Sequence, residues 1–157
     1  KHKDSQNVFY LHGALPFFDA GAEIVKEEYD QQSYLLRKIE GRMTRGEYPI
    51  FVTAGDGDDK LRHIMHNRYL THCYETLSGI TGSLVTFGFN FGDYDEHIVE
   101  AINCAAKYGR KEFPKLLSIY VGVYSDDDRK HIEQMKGDFC CKVHLYDAKT
   151  ANIWGRK

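Results

Sequence analysis

Apolar positions follow two alternating rhythms along the chain. Short, compact runs of apolar and β-branched residues occur at Val8–Leu11, Ile50–Thr53, Leu84–Phe89, Leu116–Tyr124 and Val143–Asp147, and each reads as a buried strand. Between them, apolar residues recur at helical spacing. Leu35, Leu36, Ile39 and Met43 mark one helix, and Leu61, Ile64 and Met65 a second. Leu70, Cys73, Tyr74 and Leu77 mark a third, Ile98, Ala101, Ile102 and Ala105 a fourth, and Ile132 and Met135 a fifth. Strands alternating with helices predict βαβ units with right-handed crossovers. The expected fold is α/β, a three-layer Rossmann-like arrangement around a mostly parallel sheet of about five strands.

Local signals sharpen the element ends. Pro16 and Gly21 make residues 14–28 a long loop after the first strand, holding at most a short strand at Glu23–Val25. Asp58 is placed to cap the second helix, and Gly79 and Gly82 to end the third. Lys107, Gly109 and Arg110 would close the fourth helix. Ser125 with Asp128 forms a capping-box pattern for the fifth. Leu116–Tyr124 is so nearly unbroken in β-favouring residues that it is expected as an interior strand covered on both faces.

The most informative stretch is Ser83–Lys107, where a strand passes straight into a helix through Gly88, Asn90, Gly92, Asp93 and Asp95. Small and polar residues beyond the carboxyl end of a strand are where open α/β sheets present ligands. In a parallel sheet the loops at His12–Gly13, Gly55–Gly57, Asn90–Asp95, Ser125–Asp126 and Asp147 would share that rim. Asp93 and Glu96 read as an acidic capping box, which already occupies the helix's positive pole and favours sugar hydroxyls over a pyrophosphate. Gly55-x-Gly57-x-x-Lys60 departs from the dinucleotide fingerprint and reads as a turn. His12 is the candidate general base, weighed against a histidine that merely bonds a neighbouring carbonyl.

Composition narrows the classes. The 157 residues fit one domain, and 21 basic against 23 acidic residues leave a net charge of −2 with no basic block. That argues against a nucleic-acid partner. Cys73, Cys104, Cys140 and Cys141 contain no CxxC pair and read as reduced packing cysteines, pointing to the cytoplasm. No apolar run approaches a membrane span, no signal region precedes Val8, and no histidine pair has metal-ligand spacing. The abrupt entry into Val8–Leu11 without an initiator Met suggests a part of a longer protein.

Tyr10-Leu-His-Gly13, Phe87-Gly-Phe-Asn-Phe-Gly-Asp-Tyr-Asp-Glu-His-Ile98 and Tyr146-Asp-Ala148, with Tyr48-Pro-Ile-Phe-Val52, Lys60-Leu61 and Trp154-Gly155, resemble the carboxyl-terminal part of an uncharacterised bacterial domain family related to sirtuin-like NAD-consuming proteins. The resemblance implies NAD as ligand or substrate, His12 as the catalytic base at the nicotinamide ribose, and a role in bacterial defence. It also implies that Gly88 and Asn90 contact the adenosine ribose and phosphates, with Asn90 standing where a serine is usual; Gly13, Asp93 and Asp95 are candidate cofactor contacts from their place on the expected rim. Zinc is not expected, because the paired CxxC motifs of deacylating sirtuins are missing. A non-catalytic α/β module that binds a nucleotide or a partner is the alternative, and the oligomeric state stays open.

Overall fold

The computed structural model describes residues 8–21, 23–107 and 115–153. These residues form a mixed α/β protein with five α-helices and two three-stranded sheets, one antiparallel and one parallel. The chain divides into two compact units. One comprises the residues up to Gly55 together with Asp59–Tyr74, the other Asp56–Asp58 together with the chain from Glu75 onward.

The first unit is built on β1 (Gly13–Asp19), β2 (Ile24–Lys26) and β3 (Pro49–Phe51), hydrogen-bonded in the antiparallel order β2-β1-β3. The expected strand at Val8–Leu11 is absent. The Gly13 N–H donates to the Tyr10 carbonyl at 2.9 Å, closing a turn through Leu11 and His12, and the strand begins only after it. β1 instead runs through Pro16, in the segment expected as a loop. Phe17 and Phe18 are both buried, and burying adjacent aromatic rings outweighs the missing proline N–H. The β1–β3 register shifts between Gly13 and Phe18, so Pro16 falls where the ladder is already irregular. Its carbonyl still accepts from the Glu27 N–H at 2.8 Å.

Gly13 is a steric requirement. Its φ is +72°, and a Cβ there would sit 2.0 Å from the Ile50 carbonyl oxygen. Only a residue without a side chain lets β3 come this close.

α1 (Leu35–Thr44) buries Ile39. One turn on from Ile39, the half-buried Arg42 pairs with Glu27 and Glu47 and lies 5.0 Å over the Phe18 ring. α2 (Gly57–His66) starts one residue before Asp58, so Asp58 lies in the first turn and is not the cap. Asn67 caps α3 (Arg68–Ser78), its Oδ1 accepting from the Tyr69 and Leu70 N–H groups at 3.0 and 3.2 Å.

The second unit contains β4 (Gly82–Thr86), α4 (Glu96–Lys107), β5 (Leu116–Val123), α5 (Asp126–Met135) and β6 (Lys142–Asp147). Its sheet is parallel, in the order β4-β5-β6, so β5 is the middle strand as expected and β4 lies beside it. α4 and α5 pack against β5, where Ile119, Val121 and Val123 are buried together with Ile98, Ala101, Ile102, Ala105 and Ile132. On the other face Val85, Tyr120 and His144 are exposed, with the Tyr120 and His144 rings stacked at 4.8 Å, where cover on both faces was expected. The parallel sheet thus has three strands where about five were expected. Val8–Leu11 is a turn region, and Ile50–Phe51 pairs antiparallel to β1.

Two helix starts also differ in their outcome. Ser125 and Asp128 form the expected capping box, each side chain accepting from the other's backbone N–H. α4 begins at Glu96, so no Asp93–Glu96 box forms. The Asp95 N–H instead donates to the Gly92 carbonyl at 2.8 Å just before the helix. Gly109, Arg110 and Trp154–Gly155 lie outside the described residues.

Candidate functional site

In the second unit β4, β5 and β6 run parallel, so their carboxyl ends open on one edge, and a crevice of about 480 Å³ lies there. The loop after β4 supplies Phe87, Gly88, Phe89 and Asn90. The end of β5 supplies Gly122, Val123 and Tyr124, α5 supplies Asp128 and Ile132, and Ala148 follows β6. Its volume falls within the range of small-molecule sites. It joins apolar and aromatic walls to a few polar groups.

The loop is held in an uncommon backbone path. Gly88 has φ +66°, which glycine adopts at no cost, but Phe91 also lies in the left-handed region at φ 52°. Phe91 is buried, edge-on to Phe89 at 4.7 Å and to Phe139 at 5.3 Å. His131 Nε2 lies 3.2 Å from the Phe91 carbonyl. A carbonyl only accepts, so this ring nitrogen carries the proton.

At its other end the loop leaves the sheet from Thr86. The Tyr146 hydroxyl, on β6, donates to the Thr86 carbonyl on β4 at 2.8 Å. The bond passes across β5 at Gly122, the residue paired with Tyr146. A Cβ on Gly122 would lie 2.7 Å from that hydroxyl and 3.1 Å from the Thr86 oxygen. Glycine is needed here to leave room for a side chain.

The α5 end of the crevice is negative. Asp128 Oδ2 accepts from the Tyr124 and Ser125 N–H groups at 3.2 and 3.0 Å, and the Ser125 hydroxyl accepts from the Asp128 N–H at 3.1 Å. Hydrogen bonding to Ser125, first its side chain and then its backbone, holds the Asp128 carboxyl below its ordinary range. Asp126 and Asp127 share the same first turn. The helix's positive pole is therefore already compensated, which favours neutral hydroxyls over a phosphate. Beside it the Tyr124 ring is exposed, with Lys149 Nζ 4.8 Å above it.

Of the residues singled out from sequence, Gly88 and Asn90 line this crevice. Asp93 and Asp95 do not; they sit immediately before α4. His12 and Gly13 belong to the first unit, His12 half-buried with its carbonyl accepting from the Val52 N–H at 2.8 Å. Gly122, Asp128, His131 and Tyr146 were not singled out as site residues. The one visible signal was Gly122, the only glycine in the β-favouring run of β5.

The first unit has a larger cleft of about 630 Å³ where Asp19 and Glu23 on the β1–β2 hairpin share a lining with His66, Arg68, Tyr69 and His72. Its charges are mixed and exposed. Among the described residues no group of three or more His, Cys, Asp or Glu could hold a metal ion, and no helix is long and apolar enough to cross a membrane. All four cysteines are free thiols.

No curated protein and no solved structure matches the chain. The family described as Domain of unknown function (DUF4917) matches residues 1–154, and the chain belongs to that family.

Proposed function

We propose that the crevice at the carboxyl edge of the parallel sheet binds the adenosine portion of NAD, as part of a sirtuin-like domain. The observation that supports this reading is the juxtaposition of the Phe87–Asn90 loop with the start of α5 across the ends of parallel strands, the usual place for a nucleotide in an open α/β sheet. Asn90 offers an amide to the ribose hydroxyls. Phe87 and Tyr124 offer faces on which a base stacks. The acidic start of α5 turns the pyrophosphate away from this end.

Calorimetric titration with NAD, adenosine and AMP tests the reading. Saturable binding of NAD and adenosine is expected, weakened by Asn90→Ala and by Tyr124→Ala. Failure of both ligands to bind, or binding indifferent to both substitutions, removes it.

Cleavage of NAD is a separate proposal that rests on the resemblance, with His12 as base. Its carbonyl bond to Val52 survives truncation, so His12→Ala should leave the fold intact while lowering nicotinamide release about 10²–10⁴-fold in a protein that releases it. A destabilised but active variant would sink the assignment. Binding without chemistry is the second reading, favoured by what lines the crevice: no histidine is among the lining residues, and its one carboxylate, Asp128, is committed to backbone N–H groups. Nicotinamide release, followed by chromatography, separates the two.

A further inference from the structure

We infer that Tyr146 is the positioning residue of the crevice, setting the path of the Phe87–Phe91 loop through Thr86. The inference rests on the nucleotide reading of this crevice for its consequence on binding, but not for its effect on the loop.

Four observations converge on it. Tyr146 donates to the carbonyl of Thr86, the last residue of β4, immediately before the loop. The bond skips the neighbouring strand to join the two outer strands of the sheet, which backbone pairing alone does not link. The skipped strand carries Gly122 at the crossing, and any side chain there would collide with the phenol. At the far end of the loop Phe91 holds a left-handed conformation under Phe139 and the His131 hydrogen bond.

A non-glycine residue in that region persists only where its surroundings over-determine it. The loop is therefore pinned at both ends, with Gly88 and Asn90 between the pins. Pinning lets the loop meet a ligand without ordering first, and so raises affinity without a contact from the tyrosine itself. Tyr146 is not among the residues lining the crevice; it acts through Thr86.

Tyr146→Phe removes the hydroxyl and keeps the ring. In the variant the heteronuclear NOE of the Gly88, Phe89 and Asn90 amides should fall toward values for mobile backbone, while those of Ile119 and Val121 in β5 stay unchanged. Gly122→Ala should produce the same local loosening, because its methyl displaces the hydroxyl. Adenosine affinity should fall about three- to tenfold, as expected for one hydrogen bond. Tyr146→Leu should not restore loop order, since it lacks the donor.

Unchanged loop amides in both Tyr146→Phe and Gly122→Ala would overturn the inference, as would loosening spread evenly over β5. If the wild-type protein binds no adenosine, the proposed function fails, and the amide measurement still decides the role of Tyr146.

Discussion

The glycine that opens β1 in the first unit and the glycine near the end of β5 in the second both exclude a side chain, for different neighbours. Gly13 admits a backbone, the Ile50 carbonyl of β3, and so closes an antiparallel sheet. Gly122 admits the Tyr146 phenol and so secures the mouth of a crevice. The surrounding charges differ in the same way. Around α1, Arg42, Arg45, Glu27 and Glu47 pair with one another, whereas at the start of α5 Asp128 turns to the Tyr124 and Ser125 N–H groups just before the helix. The first arrangement consumes its polar groups in holding elements together; the second leaves Asn90 and the aromatic rings at a rim.

The largest effect expected from this contrast is that of Gly13→Ala. It combines a forbidden contact with left-handed backbone, and together these should destabilise the protein by about 3 kcal/mol. A urea titration reads it. A Gly13 that serves only to let a ligand approach predicts the opposite result: an unchanged midpoint with nucleotide binding lost.

Asn90→Ala should behave in the reverse manner, leaving the urea midpoint unchanged and weakening adenosine about tenfold. Asn90 is exposed at the crevice and no core packing depends on it. Calorimetry and the urea titration on the same preparation make the comparison. A shifted midpoint with intact binding would assign Asn90 to the loop's structure instead.

How far the sequence could be read follows from the same contrast. In the second unit the patterns at Ile98–Ala105 and Leu116–Tyr124 make the helix and the middle strand legible because α4 and β5 bury apolar residues against each other, and Ser125 with Asp128 announces the α5 cap. In the first unit Val8–Leu11 has the composition of a strand but makes no ladder, and Pro16 concealed a strand whose irregular register excuses the missing N–H. Which segments pair, and in which direction, is decided by contacts distant in sequence, as with Pro49 opposite Phe18.

The rim is legible only where the sheet is parallel, and there Gly88 and Asn90 line the crevice. Asp93 and Asp95 precede α4, whose start at Glu96 lies two residues beyond the one an Asp93 cap implies. Tyr146 was invisible because its partner Thr86 lies 60 residues away, and no local pattern announces a phenol that crosses a strand.

Ser125→Ala tests the capping of α5 and should cost about 1 kcal/mol. The effect belongs to the second unit alone, so the Arg42 pairs are not disturbed. If the loss of the cap also frees Asp128, adenosine affinity should change with it, and a Ser125→Thr variant, which retains an acceptor, should restore both.

The smallest and most selective effect is the pH dependence of that cap. Asp128 is held below its ordinary value by Ser125, so the charged form is favoured in the folded state. A carboxyl of this kind stabilises the fold above its unfolded value, near about 4, and its contribution is lost as pH falls through the lower folded value. Asp30 and Glu47 are lowered as well, by Lys38 and by Arg45 with Arg42 respectively, and they titrate in the same acidic window. They are present in both proteins when wild type is compared with Asp128→Asn, and so cancel. The stability difference between the two should be larger at about pH 6 than at about pH 3. Removing this charge also relieves the repulsion of a phosphate at the crevice, so Asp128→Asn should improve AMP relative to adenosine. A stability difference that does not vary with pH would show that the carboxylate's charge contributes nothing to the cap, and an unchanged AMP-to-adenosine ratio would show that the acidic start of α5 does not select what enters the crevice.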